Sequence, residues 1–514
     1  MKKRWIVLLA LILVAAFALP AAAEIKFFGS ARVMPTYYSN FDFNDNGGDF
    51  TALNEGGFVS GESIRGELRL GWEASGEKWK INMIAETDVT YDKNNGDRSF
   101  YFSSTDLFNT NGNLAPPNAG GEFGIERVEL VYTFFPWLEL ATGWPITAAD
   151  IGSGGLLYGD DHPMIQLRGR PTENLKYELT YLSIQNLDKI QTVDSPLTND
   201  WRVYYLKVSP TIDTGAGKLT VSPIVMLSDN RVTEAVGVVA GQGGLTFTPN
   251  GRPSASVRYY GVELLGQIGP IKPSAEFIYA DGKLRPTATS VEKDIKSYAA
   301  FAAVELPVSK AFNPYVAVRY TKGDDNSSDN DVEGFVGVTD IARFTPVMGM
   351  DGNILGEHLA VTAGSGPRGT ASYGAPLYGY APERFNRRAG VPGEFYGGIG
   401  NLGSGNNPGQ RVIAAGAKGE VSPALSYKAQ VFLIWYDKTG NLNFKPGTTE
   451  RVDKYAGTTA DLLLKYAFSK NFSATYIGSV FVPGDGIKDQ VKALDPNADD
   501  TFAMLHTMQL AWSY

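Results

Sequence analysis

The sequence predicts an all-β protein, a closed antiparallel transmembrane β-barrel of about 18 strands, with 16 as the alternative count. First, segments of roughly ten to fourteen residues alternate large apolar with small or polar side chains, the period-two pattern of a strand between two different solvents. Second, the connections alternate between short turns and long polar loops, an asymmetry typical of transmembrane barrels. Third, after residue 19 no apolar run approaches the about 18 residues of a membrane helix.

Residues 1–23 have the organisation of a secretory signal peptide. A basic start, Met-Lys-Lys-Arg, precedes an apolar run at 5–19 and the residues Pro-Ala-Ala-Ala, which predict cleavage after Ala23. The run is shorter than the about 20 residues of a membrane-spanning helix. The predicted organisation is a signal peptide at 1–23 and one barrel domain at 24–514, exported to the cell outer membrane, with a long loop insertion at about 321–410.

The composition excludes several kinds of function. The chain has no cysteine, so it can form no disulfide, thiolate metal site or cysteine-linked haem. The formal net charge of −9 becomes about −12 without the three basic residues of the signal peptide, and this acidity argues against a nucleic-acid partner. With 58 Gly, 27 Phe, 26 Tyr and 8 Trp, but only 20% charged residues, the chain has the turn-rich and aromatic-rich balance of a β-barrel.

The predicted strands follow one another along the whole chain after residue 24. Short turns such as Phe135-Pro136 and Gly269-Pro270 alternate with long loops, which places both ends of the barrel on the side of the short turns. The first and last strands must pair, because each unpaired backbone group in hydrocarbon costs several kcal/mol. The predicted strands are 25–37, 64–74, 79–91, 125–134, 137–144, 163–170, 175–184, 201–211, 218–227, 257–268, 271–280, 296–308, 312–320, 411–421, 424–436, 458–468, 472–482 and 501–514.

The alternation assigns each strand residue to the lipid or to the lumen. On strand 64–74, for example, Leu68 and Leu70 face lipid while Glu67 and Arg69 face the lumen. A slip by one residue would move the lumenal charges into lipid, at about 2–4 kcal/mol for each Arg or Lys at the midplane. The candidate pore-lining residues on strands are Arg65, Arg69, Arg127, Arg168, Arg170, Arg319, Glu67 and Glu129.

These charged residues admit two interpretations. They form a ladder of ion pairs that stiffens the wall, or they form a basic arc opposite a more acidic one, which would orient polar solutes in the pore. Aromatic residues near the strand ends predict girdles at the two membrane–water interfaces. They are Trp72, Trp79, Phe134, Trp137, Trp435, Trp512 and Tyr514.

The insertion at 321–410 is far longer than a strand connection needs. It is rich in Gly and Tyr, and its densest basic spot contains the constriction candidates Arg384, Arg387 and Arg388. We expect the insertion to enter the lumen or cover its mouth, where guanidinium groups would attract carboxylate or phosphate solutes. The alternative is a surface loop packed against its neighbours.

No cofactor, metal site or catalytic residue is predicted. Asp42–Gly47 and Asp329–Gly334 have partial calcium-loop spacing but lack the usual final Glu, so solvated acidic loops are favoured. The chain has three histidines, and His506 falls on the outward face of the last strand, whereas Ser473 and Ser479 on its neighbour fall on the inward face. This parity argues against an enzyme that combines Ser and His on its outer wall.

The last strand has a large, mostly apolar face at its even positions, from Phe502 to Tyr514, and ends on an aromatic residue. In this it resembles bacterial outer-membrane β-barrels, whose last strand closes the barrel and carries the signal for the barrel-assembly machinery. The strand count, and the sequence Val482-Pro-Gly-Asp-Gly486 before the last loop, resemble the alginate-export-like group of porins. That resemblance implies a single-barrel channel with a basic lumen that conducts an anionic polysaccharide.

The expected function is a porin, a water-filled channel in the outer membrane for passive diffusion of small hydrophilic solutes or ions. Two alternatives stay open: a selective channel for an anionic saccharide or polysaccharide, and a plugged structural or adhesive barrel. The expected partners are outer-membrane lipid, small and possibly anionic solutes, and the assembly machinery. The sequence does not determine the oligomeric state.

Overall fold

The structure is a computed structural model. It describes residues 24–40, 61–90, 124–160, 162–186, 200–231, 234–238, 245–249, 255–285, 291–326, 328–338, 408–442, 444–494, 496–497 and 501–514. No helix among these residues is both long enough and apolar enough to cross a membrane.

The described residues form one large antiparallel sheet with short additional elements. In chain order the elements are β1 (Glu24–Ser39), β2 (Gly61–Ser75), β3 (Trp79–Thr90), β4 (Gly124–Phe135), β5 (Leu138–Gly143), β6 (Thr147–Ala148), β7 (Gly159–Asp160), β8 (Met164–Thr172), β9 (Leu175–Asn186), β10 (Asp200–Asp213), β11 (Gly217–Asn230), β12 (Glu234–Val238), β13 (Leu245–Pro249), β14 (Ala255–Ile268), β15 (Lys272–Leu284), β16 (Lys293–Glu305), β17 (Asn313–Thr321), β18 (Asp331–Val332), β19 (Gln410–Glu420), β20 (Leu425–Tyr436), β21 (Tyr455–Ala467), β22 (Phe472–Pro483), α1 (Asp485–Leu494) and β23 (Ala503–Ser513).

The large sheet is a closed barrel of 18 strands. Each strand pairs antiparallel with the next one in the wall, and β23 pairs with β1 to close the ring, with Ser30 opposite Ser513 and Ser39 opposite Met504. The two-residue strand β18 also belongs to the sheet, but it pairs parallel with β16 as part of a loop. The predicted fold, strand count and closing pair are confirmed.

The alternation of faces is also confirmed. On β17 the outward Val316 and Val318 are 58% and 51% exposed, whereas the intervening inward residues are at most 4% exposed. On β23 the outward Met508 and Trp512 are exposed, and the odd positions near its start are buried. Hydrophobic burial therefore occurs inside the barrel, while the outward surface is a band of exposed apolar side chains.

One irregularity changes the assignment of an inward face. Ile84 on β3 pairs with Arg127 on β4, but the next residue, Ala85, pairs with Ile125, so Glu126 is an extra bulged residue. At the bulge Glu126 and Arg127 form an ion pair with each other, and Ile125 is 55% exposed on the outside. Strict alternation along β4 would have placed Ile125 in the lumen.

Aromatic side chains line the end of the barrel that carries the short turns. Phe472 stacks on Trp512 with ring centroids 4.7 Å apart, and it also stacks on Phe468 at 5.0 Å. Phe135 stacks on Trp137 in the same way at 5.3 Å. These stacks form part of the predicted girdle, and they place Trp512 at the short-turn end.

Two connections differ from simple loops. The connection between β5 and β8, which the alternating pattern placed among the long polar loops, contains the hairpin of β6 with β7 and folds into the barrel. The connection between β22 and β23 contains helix α1, whose Asp489 accepts a hydrogen bond from the backbone of Asp453. Within the insertion at 321–410, residues 339–407 lie outside the described residues.

Candidate functional site: the barrel lumen

The first feature of the lumen is a row of ion pairs on strands β1 to β4 that continues on β5 and β8. We call the whole row the charged wall. Arg32 on β1 pairs with Glu67 on β2. Arg69 contacts Glu67, with Nε 3.4 Å from Oε1, and also pairs with Glu86 and Glu126. Successive inward positions of adjacent strands are neighbours, so these side chains meet wherever the register aligns them.

The charged wall continues on β4, β5 and β8. Arg168 Nη1 lies 3.0 Å from Glu129 Oε1, and Arg168 Nε lies 3.2 Å from Glu139 Oε2. Arg168 also donates to Gln166, a buried residue of β8. Over its full length the charged wall contains four arginines and five glutamates: Arg32, Arg69, Arg127, Arg168, Glu67, Glu86, Glu126, Glu129 and Glu139.

The predicted pore-lining residues fall into three groups. Glu67, Arg69, Arg127, Glu129 and Arg168 lie in the charged wall. Arg319 is inward on β17, 3% exposed, and donates to Gln410 at 3.2 Å; Arg170 is exposed beside a short turn. Arg65 lies on β2 opposite Met34 and Thr90, and Arg384, Arg387 and Arg388 lie outside the described residues. The arrangement matches the interpretation as an ion-pair ladder, because each arginine of the charged wall contacts a carboxylate.

The second feature is the connection between β5 and β8, which we call the inner loop (residues 145–160). It folds into the lumen, where Lys207 Nζ on β10 donates to the carbonyl of Ala149 at 2.7 Å. The same ammonium group binds Glu263 Oε2 on β14, also at 2.7 Å. Lys207 thus compensates a buried carboxylate and holds the loop with the same group.

A second anchor lies on β15. Glu276 Oε2 accepts hydrogen bonds from Ser153 Oγ at 2.8 Å and from the backbone N–H of Gly154 at 2.7 Å. Glu263 and Glu276 are direct neighbours on β14 and β15, so the loop lies across a pair of carboxylates. The loop therefore depends on Lys207 of β10 and on Glu276 of β15.

The turn of the inner loop is organised by Asp150. Its carboxylate accepts hydrogen bonds from the backbone N–H groups of Leu157 at 2.6 Å and Tyr158 at 3.1 Å. Burial raises the pKa of Asp150 above the ordinary value for an aspartate, although these two N–H groups and the neighbouring Glu276 act in the opposite direction. The protonated form of Asp150 is thereby favoured in the folded loop.

Small residues let the loop approach the wall closely. Gly154 lies against the side chain of Phe301 on β16, and a Cβ atom there would come within 2.8 Å of the Cβ of Phe301. The wall at this point is lined by the buried Ala299, Ala303 and Ala317. The missing side chain of Gly154 leaves room for this close approach, as the dense packing of protein interiors requires.

The end of the inner loop packs against the start of the insertion, which we call the outer segment (residues 322–326 and 328–338). Val338 N donates to the carbonyl of Leu157 at 2.8 Å. The outer segment is held by the buried Asp324, which accepts hydrogen bonds from the backbone of Glu333 and from Asn441 Nδ2. The described part of the insertion therefore covers the inner loop from the side of the long loops.

The two halves of the lumen differ as a result. On β14 to β17, against the inner loop, inward residues such as Glu263, Ile278 and Ala299 are at most 1% exposed. The arginine side chains of the charged wall keep more accessible surface, with Arg69 at 25% and Arg168 at 32%. The accessible side of the lumen is the one that carries the charged wall.

Sequence reasoning missed the inner loop and its anchors. Three glycines (152, 154 and 155) followed by Leu156, Leu157 and Tyr158 form a short apolar stretch in a connection that a surface loop would keep polar. That stretch is the signal that could have identified it. The identity of its anchors, Lys207 and Glu276, depends on long-range packing that no local pattern contains.

The described residues do not group into a metal site or a Ser–His pair. Among them no three His, Asp or Glu side chains are arranged to hold a metal ion. His506 lies on the outer face, where its Nδ1 is 2.8 Å from Tyr476 OH, whereas Ser479 faces inward and donates to Asp461. The predicted parity of His506 and Ser479 is confirmed. The stretch Asp42–Gly47 lies outside the described residues.

No family model and no curated protein sequence matches this chain. Solved structures match over nearly its full length. OccAB2 of Acinetobacter baumannii is 10% identical, with 96% of this chain and 98% of that chain covered and a TM-score of 0.50. A BenF-like porin from Pseudomonas fluorescens Pf-5 is 9% identical, with 95% and 98% covered and a TM-score of 0.48. OccK2 (OpdF) of Pseudomonas aeruginosa, solved in complex with glucuronate, is 10% identical, with 95% and 98% covered and a TM-score of 0.47.

At these identities the likeness establishes the fold. OccAB2 and this chain share the closed barrel over almost all of both chains. The structures named above lend no support to the more specific assignment to the alginate-export-like group.

Proposed function

We propose that this protein is an outer-membrane porin, a water-filled channel through which small hydrophilic solutes cross by passive diffusion. The exposed apolar band, the closed sheet and the aromatic stacks at the short-turn end match a barrel that spans a bilayer. A barrel of 16–18 strands leaves an aqueous channel unless it is plugged. The signal peptide at 1–23 and the resulting export belong to this proposal.

The observation that carries the proposal is the division of the lumen. The inner loop lies against the side of β14 to β17 and is fixed by Lys207 on β10 and Glu276 on β15. The charged wall on the opposite side keeps accessible side chains. We therefore place the solute path between the inner loop and the charged wall, and we assign the loop the role of setting the narrowest cross-section.

The charge balance of the charged wall favours a channel of weak selectivity. Its four arginines are matched by five glutamates, so the described wall offers no excess of positive charge to an anion. Selectivity for an anionic saccharide would need further positive charge, and Arg384, Arg387 and Arg388 in the insertion are the candidates that the sequence provides. This selective channel is the second candidate function.

Planar-bilayer recording tests the proposal. Purified protein should give stepwise conductance in symmetrical salt, and the reversal potential in a salt gradient should lie close to zero for the weakly selective channel. A strong anion preference, with block by glucuronate as a carboxylate sugar, would support the selective channel instead. Absence of conductance from correctly folded protein would overturn the proposal and favour the plugged structural barrel.

A further inference from the structure

The outward surface carries a repeated pattern at the long-loop ends of three strands. A basic residue lies two positions from a tyrosine in Arg202-Val-Tyr204 on β10, Arg258-Tyr-Tyr260 on β14 and Lys296-Ser-Tyr298 on β16. Residues two apart on a strand point to the same face, about 6–7 Å from each other. Each pair therefore places a cation beyond a tyrosine on the outside of the barrel, toward the long loops.

The register brings most of these residues side by side. Tyr260, Tyr279 and Tyr298 face one another across β14, β15 and β16, and they are 45%, 38% and 37% exposed. On the same outer face, the adjacent row of side chains nearer the long loops contains Arg258, Asp281 and Lys296. The outer wall thus has a row of phenol rings bordered by a row of charges.

The positive charge in this row is accessible. The side chain of Arg258 is 66% exposed, and its Nη1 lies 3.9 Å from Asp281, too far for a hydrogen bond. Arg202 and Lys296 are exposed as well. The patch is formed by the three basic residues, the tyrosines, Asp281, and Asp229, which lies opposite Arg202 on β11. Its three cations outnumber these two carboxylates, so the patch is net positive.

The same end of the barrel is different elsewhere on its circumference. On β1 and β22 the outward residues near the long-loop end are Tyr37 and Val482, and Phe502 directly precedes β23; all three are exposed. Arg411 at the start of β19 is basic, but its guanidinium binds Asp437 with Nε–Oδ1 at 2.9 Å. Among the described residues at this end, the sector from β10 to β16 places three outward cations on five consecutive strands of the wall, whereas the exposed Arg411 is bound to Asp437.

We infer that this sector binds the phosphate groups of an anionic glycolipid in the outer leaflet, an inference that rests on the proposed location in the outer membrane. Tyrosine rings occupy the membrane–water interface, so charges 6–7 Å beyond them lie at about the depth of lipid headgroups. Guanidinium groups bind phosphate by charge-assisted and bidentate hydrogen bonds. The apolar strand surface below the tyrosines would pack against the acyl chains of the same lipid.

The test compares two triple variants of the full-length protein. In R202Q/R258Q/K296Q the three cations of the patch are neutralised. In the matched control, K78Q/K310Q/K470Q, three exposed lysines on short turns at the opposite end are neutralised. Refolded proteins in detergent are titrated with diphosphorylated lipid A, with the same lipid after removal of its phosphates, and with free pyrophosphate, and bound lipid is counted by native mass spectrometry.

We expect wild type and control to bind the diphosphorylated lipid alike, and the patch variant to bind it on the order of 100-fold more weakly, at about fivefold for each charge removed. Equal binding by the patch variant, or an equal loss in the control, would overturn the inference. Retention of the dephosphorylated lipid would show acyl-chain contact alone, and tight binding of pyrophosphate would point to a free anion; both outcomes contradict the assignment.

Bilayer conductance of the same samples separates this inference from the channel proposal. The patch lies on the outer surface, so its variant should conduct like wild type. Wild-type protein that binds the lipid but does not conduct would overturn the channel proposal and leave the lipid site standing. Protein that conducts but shows no phosphate-dependent lipid binding would overturn the lipid site and leave the channel proposal standing.

Discussion

Gly29 on the first strand and Tyr514 at the end of the last one exchange both backbone hydrogen bonds. Gly29 N lies 3.4 Å from Tyr514 O, and Tyr514 N lies 3.1 Å from Gly29 O. The ring of Tyr514 lies over Gly29, in the space that a side chain at this position would fill. Where the first and last strands meet, the aromatic ring of Tyr514 thus packs over Gly29.

This contact predicts that G29A destabilises the closed barrel. The added methyl group must displace the ring of Tyr514, and loss of such a cross-strand contact costs about 0.2–1 kcal/mol. The urea midpoint of unfolding, followed by tryptophan fluorescence, should fall accordingly. In the control G261A the new Cβ meets its nearest neighbour at 3.5 Å, an ordinary contact, so that variant should not lose stability in this way. Equal midpoints for G29A and wild type would contradict the prediction.

Substitution of Lys207 should release the inner loop. In K207Q the carboxylate of Glu263 stays buried without its cation, and breaking a buried ion pair in this way costs about 3–5 kcal/mol. We expect a higher and noisier single-channel conductance, because the inner loop detaches from β10 and β14 and the solute path becomes wider. K218Q, which changes an exposed lysine at a short turn, is the control and should conduct like wild type. Unchanged conductance in K207Q would mean that the loop does not set the cross-section.

Asp150 should make the inner loop sensitive to pH. Its pKa is raised, so the folded loop favours the protonated carboxyl group; the loop is held best below the ordinary aspartate pKa and is weakened as pH rises through and above that value. We expect current fluctuations to increase from acid to neutral pH. D150N resembles the protonated group and should remove this dependence, while D213N, at an exposed turn, should keep it. Identical pH profiles for D150N and wild type would refute this role.

The charged wall predicts opposite changes in selectivity from two neighbouring substitutions. R168Q leaves Glu129 and Glu139 without their shared cation, so the reversal potential in a salt gradient should shift toward cation preference. E126Q removes a carboxylate between Arg69 and Arg127 and should shift the potential toward anion preference. Shifts of the same sign, or none, would show that the solute path avoids this wall.

Deletion of residues 345–405 tests the predicted role of the insertion. If this stretch narrows the lumen, single-channel conductance should rise when it is removed. The combination with K207Q is informative, because two independent constrictions in series would give additive decreases in channel resistance. No rise on deletion would leave the inner loop as the element that sets the cross-section.

The fold was predictable because the side chains of each strand alternate between apolar residues on the outer face and small or polar residues on the inner face. Val316 and Val318 face outward and Arg319 faces inward, and this local alternation needs no knowledge of distant residues. The charged wall was predictable in the same way, since Glu67, Arg69 and Arg127 stand at inward positions. The position of the bulge was not, although two successive charged residues, Glu126 and Arg127, interrupt the alternation between Ile125 and Val128.

The inner loop was not predictable for a different reason. The carboxylate that binds Ser153 is 123 residues away along the chain, and the side chains against which its glycines pack, Leu265 and Phe301, lie on other strands. A run such as Gly-Gly-Leu-Leu-Tyr is too short to show a period, so it predicts neither a strand nor a buried position. The charge and the space that receive the loop exist only once the barrel is closed.

This long separation has a consequence for the order of assembly. The inner loop follows β5, but its anchors lie 58 residues later at Lys207 and more than a hundred later at Glu276. Hairpins between adjacent strands form from local contacts, whereas docking of this loop needs a wall made by strands that come later. Docking is therefore a late event in maturation, and the species that precedes it is a sealed but wider barrel, which a conductance recording during refolding would detect as a transient high-conductance state.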